Sequence, residues 1–499
     1  VPLDWADETV GTTKVAFVKY TSQNESAEDL VLNFGGPGGS GVATLLNIAP
    51  LLTEVFGPDV NLISFDPRGV NNTGPALDCF PNDPATKAIF ESQYYRIIAD
   101  TPDNMATQFY LAESFGHWCN SAIGGPNGTA KYVNTPAVAH DMLAFTELAH
   151  ATRGKPKEDA KLWFAGFSYG GVLGTTFAAM FPERIGRFIL DGVVDGEDYY
   201  GGSWSKSLID TDKVVDGLIS SCLAAGREAC PLYEDSFEAI EYRLSNILTK
   251  LKRHPIPVWD PAVVDAPALA TYADWSNVLL LATNFPLASY PKIVQILVDL
   301  ERGRGESLIA SKKMVLGAHY NEEARYNSVQ GYTMIGCVDA GGRHNVSSLD
   351  DFRDYATFLK TQSKYTGEAW AVTSATCRAL DVMPPTSGQF TGQLPPSANK
   401  TSAPILFIGN RADPVTPLVG AQCIDCNNST RRASTFFPDS GLVEIDGIGH
   451  TSLGAPSECA FKEMRKYLSG ASPLPLVICT PDEVPFQSKL EGLALLTEI

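Results

Sequence analysis

The 499-residue sequence carries 38 Lys and Arg against 57 Asp and Glu, a formal net charge of -19, with 44% hydrophobic and 19% charged residues. A surface this acidic repels nucleic-acid phosphates and anionic lipid, and no apolar run approaches the roughly 18 residues a membrane-spanning helix requires. Nucleic acid and membrane are therefore excluded as expected partners, and a globular chain with a large core is expected.

In chain order, Lys14 to Tyr20, Leu30 to Phe34 and Asn61 to Phe65 read as strands. The last two are nearly continuous apolar runs, as expected of a parallel sheet covered on both faces. Ala137 to Ala149 has helical spacing, Lys161 to Ala165 is a further short strand, Tyr169 to Met180 a helix of small residues, and Arg187 to Leu190 another strand. This alternation predicts an α/β doubly wound, mostly parallel sheet. From Ser203 to Arg253, and again from Ala266 to His319, the pattern is helical with little strand character. Linker composition follows at Pro384-Pro385 and at Pro395-Pro396, and strands resume at Ile405 to Ile408 and Leu442 to Ile445, with a helix near Ser457 to Leu468. The expected organisation is a core in two parts, residues 1–200 and 401–499, split by a mainly helical cap over 201–400.

The chemistry sits at strand ends. Gly166-Phe167-Ser168-Tyr169-Gly170 lies between a strand and a helix, the context in which a Gly-x-Ser-x-Gly turn exposes its serine as a nucleophile. A serine hydroxyl at its ordinary pKa needs a base, and the base needs an orienting acid. In this type of fold the chain order is Ser, acid, His. Asp413 follows the strand at Ile405 to Ile408, and His450 follows the strand at Leu442 to Ile445, 37 residues later. The other six histidines lack a preceding core strand. Asp191, at the end of the strand before the cap, is a second candidate for the acid. Gly35-Gly36-Pro37-Gly38-Gly39-Ser40-Gly41 directly follows a core strand and lacks the Lys of a phosphate loop. Backbone N–H groups of Gly35 or Gly36, with that of Tyr169, are the expected oxyanion donors. The predicted chemistry is acyl transfer to water, with no metal and no cofactor.

The ten cysteines form an even set: 79, 119, 222, 230, 337, 377, 423, 426, 459 and 479. Asn-x-Ser/Thr sequons begin at Asn24, Asn71, Asn127, Asn345, Asn399, Asn427 and Asn428. Both features, in a chain that starts Val1-Pro2, lead to the expectation of a secreted, N-glycosylated product after signal-peptide removal. Nearness in sequence suggests the pairs Cys222 with Cys230, Cys79 with Cys119, and Cys337 with Cys377, leaving four cysteines open. Cys423-Ile-Asp-Cys426 lacks a second such motif and is expected to be structural, not a zinc or redox site.

The Gly35 to Gly41 loop, Asp66-Pro67-Arg68-Gly69, the Ser168 motif, Leu190-Asp191-Gly192-Val193-Val194-Asp195, Cys337-Val338-Asp339, Asp413-Pro414-Val415-Thr416-Pro417 and Gly449-His450-Thr451 together resemble the secreted tripeptidyl-aminopeptidase-like group of α/β-hydrolases, relatives of prolyl iminopeptidases. The resemblance covers most of the core and, within the cap, little beyond Cys337-Val338-Asp339. It implies a serine exopeptidase acting on peptide N-termini, with Ser168 as nucleophile, His450 as base and Asp413 as acid. One departure is Phe34, where prolyl iminopeptidases carry His before the glycine loop, which argues against strict proline specificity. An aminopeptidase also needs a carboxylate for the substrate ammonium, and Asp339, Glu197 and Asp198 are the candidates near the cap boundary. An esterase or lactonase acting on a small molecule, and a non-catalytic binding protein on the same scaffold, are the competing expectations.

Overall fold

A computed structural model describes the chain except residues 82–85, 88, 91–93, 95–96, 265, 318–319, 322–325, 344–345, 422–435, 438 and 488–499. Cys423, Cys426, His319, His344, Asn345, Asn427 and Asn428 lie outside the described residues, as does the side chain of Asn399.

Eight strands form the main sheet: β1 (Phe17–Tyr20), β2 (Glu28–Asn33), β3 (Val60–Phe65), β4 (Leu162–Phe167), β5 (Ile185–Asp191), β6 (Ile405–Ala412), β7 (Gly441–Ile448) and β8 (Val477–Cys479). Their order across the sheet is β1-β3-β2-β4-β5-β6-β7-β8. β1 pairs antiparallel with β3, and every other pairing is parallel. This is the α/β doubly wound, mostly parallel sheet that the strand alternation predicted.

Period-two alternation explains why these runs are apolar throughout. Leu30 and Leu32 face one core with Ile189, Leu406 and Ile408, while Val31 faces the other with Ile63, Phe188, Leu190 and Phe407. Helices α1 (Gly41–Phe56) and α14 (Glu458–Leu468) cover the first face. Helices α3 (Thr135–Thr152) and α4 (Tyr169–Met180) cover the second. Side chains on both faces of the central strands are thus taken out of water, while the edge strand β1 exposes Lys19 and Tyr20.

The helical layer has a core of its own. Between α5 (Gly196–Gly201) and β6 run α6 (Thr211–Ala229), α7 (Phe237–Arg253), α8 (Tyr272–Ala282), α9 (Pro286–Glu301), α10 (Glu306–Gly317), α11 (Ser328–Ala340), α12 (Leu349–Gln362) and α13 (Gly367–Ala375). Leu218, Ile219, Leu244, Trp275, Ile293 and Leu297 pack there, joined by Ala412 of β6 and Ile448 of β7. Two short hairpins, Ile256–Val258 with Ala268–Ala270 and Tyr320–Asn321 with Tyr326–Asn327, interrupt a region whose sequence reads as helical.

Helix α2 (Pro102–Ile123) precedes Ser168 in sequence yet packs with this layer. Its Phe109 ring lies 6.2 Å from that of Phe352, and its Glu113 pairs with Arg378 at 2.9 Å. The disulfide Cys79–Cys119 ties α2 to the loop after β3. Cys222–Cys230 and Cys337–Cys377 pair as sequence proximity suggested, and two of the four remaining cysteines form Cys459–Cys479. Pro384 to Lys400, which reads as linker, forms two short 3-10 turns, Thr386–Gly388 and Pro396–Asn399, and Ala398 reaches the sheet core. Among the described residues no helix is long and apolar enough to cross a membrane.

Candidate active site

Ser168 sits between β4 and α4 with φ 57° and ψ -122°, outside the regions that non-glycine residues ordinarily occupy. The turn is forced by close packing: a Cβ on Gly170 would lie 2.6 Å from Asn33 O. Two backbone bonds fix the serine, its own N–H donating to Asp191 O (2.9 Å) and Gly171 N–H donating to Ser168 O (2.8 Å). Strain of this kind is held by surrounding structure and concentrates at functional positions.

The glycine loop lies against this turn. Gly35 has φ +89°, and a Cβ there would fall 2.6 Å from Phe167 O and 3.1 Å from Tyr169 N. Its N–H donates to Asn33 Oδ1 at 3.0 Å. Gly35 was expected to be an oxyanion donor on equal terms with Gly36, but that bond occupies its only backbone proton. Gly36 and Tyr169 N–H have no acceptor among the described residues. Asp66 anchors the far end of the loop, accepting from Ser40 Oγ (2.7 Å) and Val42 N (3.1 Å). Arg68 of the same motif is fully buried and makes two bonds to Asp141, at 2.7 and 2.8 Å.

Asp413 and His450 extend from neighbouring strand ends. His450 Nδ1 lies 2.9 Å from Asp413 Oδ2 and 3.0 Å from Oδ1. Asp413 is fully buried and also accepts from the N–H groups of Val415 (3.0 Å), Thr416 (2.8 Å) and Thr451 (2.9 Å). Burial alone would raise its pKa, but the charge of a protonated His450, the bond to that ring and the backbone donors together hold the carboxyl below its ordinary value.

Three further groups brace the His450 loop. Buried Asn410, on β6, donates through Nδ2 to Gly449 O and Thr451 O, both at 2.7 Å, so it holds the carbonyls on either side of His450. Asn284, between α8 and α9, accepts from His450 N–H at 2.8 Å and brings the cap directly onto the loop. Asp191 accepts from Ser452 N–H at 3.0 Å on both oxygens. Burial pushes Asp191 up to about 6, against the pull of Ser452 and the His450 charge. Asp413, not Asp191, is the carboxylate bonded to the His450 ring.

Ser168 and His450 converge on the end of β5. Ser168 is bonded to Asp191 O, and at the next residue a Cβ on Gly192 would lie 3.5 Å from His450 Cε1. The three acids considered for an ammonium behave differently. Asp198 accepts from Ser203 Oγ, Ser205 N (3.0 Å), Ser205 Oγ (2.8 Å) and Lys206 N (2.9 Å), so its charge is spent on the turn after α5. Asp339 is fully buried and bonded to Thr135 and Tyr199. Glu197 is half-buried in the first turn of α5.

Asn410, Asn33 and Thr135 were not singled out from sequence. Asn33 had a visible signal, a polar residue inside the apolar run Leu30 to Phe34 and two residues from the N–H it holds, whereas the roles of Asn410 and Thr135 depend on strands and helices brought together in the fold.

Residues 363–474, which include Asp413 and His450, match the family described as TAP-like protein. Serine protease Hip1 of Mycobacterium tuberculosis is 27% identical over 486 residues, covering 95% of this chain and 85% of that protein. Tripeptidyl aminopeptidase of Streptomyces lividans is 23% identical over 497 residues, covering 97% and 83%. Carboxylesterase B of Mycobacterium tuberculosis is 25% identical over 495 residues, covering 96% and 85%.

Proposed function

We propose that this chain, which matches the TAP-like family over residues 363–474 and is similar to serine peptidases over nearly its whole length, is a TAP-like α/β-hydrolase that hydrolyses peptides from their N-termini through an acyl-enzyme on Ser168. In this reading a proton on His450 Nδ1 points to Asp413, which leaves Nε2 to accept the Ser168 proton as Oγ attacks the carbonyl carbon. Asp413 stabilises the imidazolium, the N–H groups of Gly36 and Tyr169 receive the oxyanion, and His450 returns the proton to the leaving amine. Water then enters by the same route in reverse, with His450 taking its proton, and releases the acid. No metal or cofactor enters these steps.

The observation that carries the proposal is the convergence of a strained Ser168 and an Asp413-bonded His450 on the end of β5. Labelling with a fluorophosphonate probe tests it: the wild-type chain is expected to react at Ser168, and Ser168→Ala to lose both labelling and peptidase activity. Retained hydrolysis in that variant would refute the assignment. Four disulfides and the exposed sequons at Asn24 and Asn127 support secretion with N-glycans. Endoglycosidase treatment of the protein from its native host is expected to lower its mass.

The similarity to carboxylesterase B favours a second reading, an esterase. Free and N-acetylated peptide amides separate the two. The aminopeptidase loses activity when the amine is blocked, and the esterase prefers esters in either form.

A further inference from the structure

Cys337-Val338-Asp339 is the one cap motif carried by the family resemblance, and the acyl-transfer scheme above leaves its carboxylate unused. Asp339 lies on α11, and its side chain reaches down to the core. Oδ1 accepts from Thr135 N–H at 2.8 Å, and Oδ2 accepts from Thr135 Oγ1 at 2.5 Å and from Tyr199 OH at 2.7 Å. Thr135 Oγ1 in turn meets the Tyr169 hydroxyl. Tyr169 is the residue after Ser168, and its buried ring packs beside Tyr199 at 5.5 Å between centroids.

Proton bookkeeping gives this chain a direction. An ionised carboxylate only accepts, so Thr135 must donate its single hydroxyl proton to Asp339. Thr135 Oγ1 then has only lone pairs left to offer, and the Tyr169 hydroxyl must donate to it. With all four donors assigned, the tip of the Tyr169 side chain is tied to a helix of the cap, while its backbone N–H faces the carbonyl that Ser168 attacks. A hydrogen-bonded tip and a packed ring leave the Tyr169 backbone little freedom to turn its N–H away.

We propose that Asp339 is a positioning residue that acts through Thr135 and the Tyr169 side chain to aim the Tyr169 N–H at the oxyanion, so that the cap completes the oxyanion hole without touching substrate. The inference rests on the reading of Tyr169 N–H as an oxyanion donor. Asp339 is fully buried, and both of its oxygens already accept bonds from the protein, so in this reading it serves the protein and not a substrate amine.

The carboxylate faces Thr135 from α3, Tyr169 from α4, Tyr199 and Tyr200 from α5, and the Arg343 guanidinium beyond its own helix. Burial pushes Asp339 up to about 6, opposed by the bonds from Thr135 and Tyr199 and by Arg343. Below that pH a protonated Asp339 can donate to Thr135 Oγ1, which frees the threonine proton for the Tyr169 hydroxyl and removes the fixed polarity of the chain.

The test compares Tyr169→Phe, Thr135→Val, Thr135→Ser and Asp339→Asn with the wild type and with Ser168→Ala. Three quantities are read on a small aryl ester: kcat and KM from pH 4.5 to 8, and the rate of fluorophosphonate labelling. Tyr169→Phe and Thr135→Val are expected to lower kcat and labelling about tenfold, a loss typical of misaligned catalytic groups, with KM within about twofold. Thr135→Ser, which keeps the hydroxyl, is expected to stay within about twofold of wild type. Asp339→Asn is expected to lower kcat and to lose the component of the acid limb near pH 6. Wild-type kcat and acid limb in Tyr169→Phe, Thr135→Val and Asp339→Asn would overturn the inference while Ser168→Ala stays inactive. So would a defect confined to KM for free-amine peptides, which marks an ammonium site instead. Full activity in Ser168→Ala would sink the parent reading, and this inference with it. If Asp339→Asn does not fold, the contrast between Thr135→Val and Thr135→Ser decides.

Discussion

The two sides of the site are built by different means. Around Ser168 the fit is one of bare backbone: Gly35 and Gly170 approach neighbouring main chain so closely that a single methyl group would overlap it. Around His450 the fit is made by buried polar side chains, with Asp413 on the ring, Asn410 on the flanking carbonyls and Asp191 on the next turn. The first arrangement is broken by adding atoms, the second by removing them.

The largest expected effect tests the junction of the two sides. Ser168→Ala or His450→Ala is expected to lower kcat by about 10⁶, since the hydroxyl and its base act as one unit. Pre-steady-state hydrolysis of an aryl ester measures it, and a loss below about a hundredfold would mean the two residues do not work together.

Gly35→Ala tests the backbone side. The added Cβ meets Phe167 O at 2.6 Å, so the glycine loop must retreat from Tyr169 N, and kcat is expected to fall about 10² to 10³, as for loss of an oxyanion donor. The destabilisation expected from overpacking is about 1–3 kcal/mol. An alanine variant with wild-type kcat would show that the loop does not serve the reaction.

Asn410→Ala tests the polar side. It leaves Gly449 O and Thr451 O without their donor, and each buried unpaired group costs about 1–3 kcal/mol. Urea unfolding is expected to show a loss of about 2–4 kcal/mol, together with a lower kcat as His450 loses its setting. A neutral result would transfer the support of the loop to Asn284 and Asp191.

The smallest expected effect is a slope. Asp191 titrates at about 6 when folded against an ordinary 3.8, so between these values the folded chain holds the extra proton and stability falls as pH rises. Asp413 works in the opposite sense: its lowered pKa stabilises the fold above the ordinary carboxyl range, and that contribution is lost as the pH falls through its folded value. Asp191→Asn is therefore expected to flatten the decline of stability between pH 4 and 6. Thermal unfolding in that window measures it, and an unchanged slope would assign the decline to other groups.

Much of this was legible beforehand because strand-end motifs are local. The turn at Ser168 needs glycines within two residues, and the acid and histidine loops each follow an apolar run, so β4, β6 and β7 could be read with their loops attached. Helix α2 was not legible, since nothing local distinguishes an amphipathic helix that packs on a cap from one that packs on a sheet. The short hairpins of the cap were missed for a related reason: two or three residues are too few to express a period. Helix α1 follows the glycine loop so directly that the loop's chemistry masked its helical start at Ser40 and Gly41.

By itself the sequence determined the fold class and the order of the strand-end motifs, because each is a short-range pattern, while nearness in sequence only suggested the three disulfide pairs that the structure forms. Only the tertiary structure decided which acid meets His450, which glycine keeps a free N–H, and whether a carboxylate such as Asp339 faces solvent, substrate or protein. The last of these depends on a hydrogen-bond partner more than two hundred residues away, Thr135 for Asp339, and a donor that distant is set by how the layers pack.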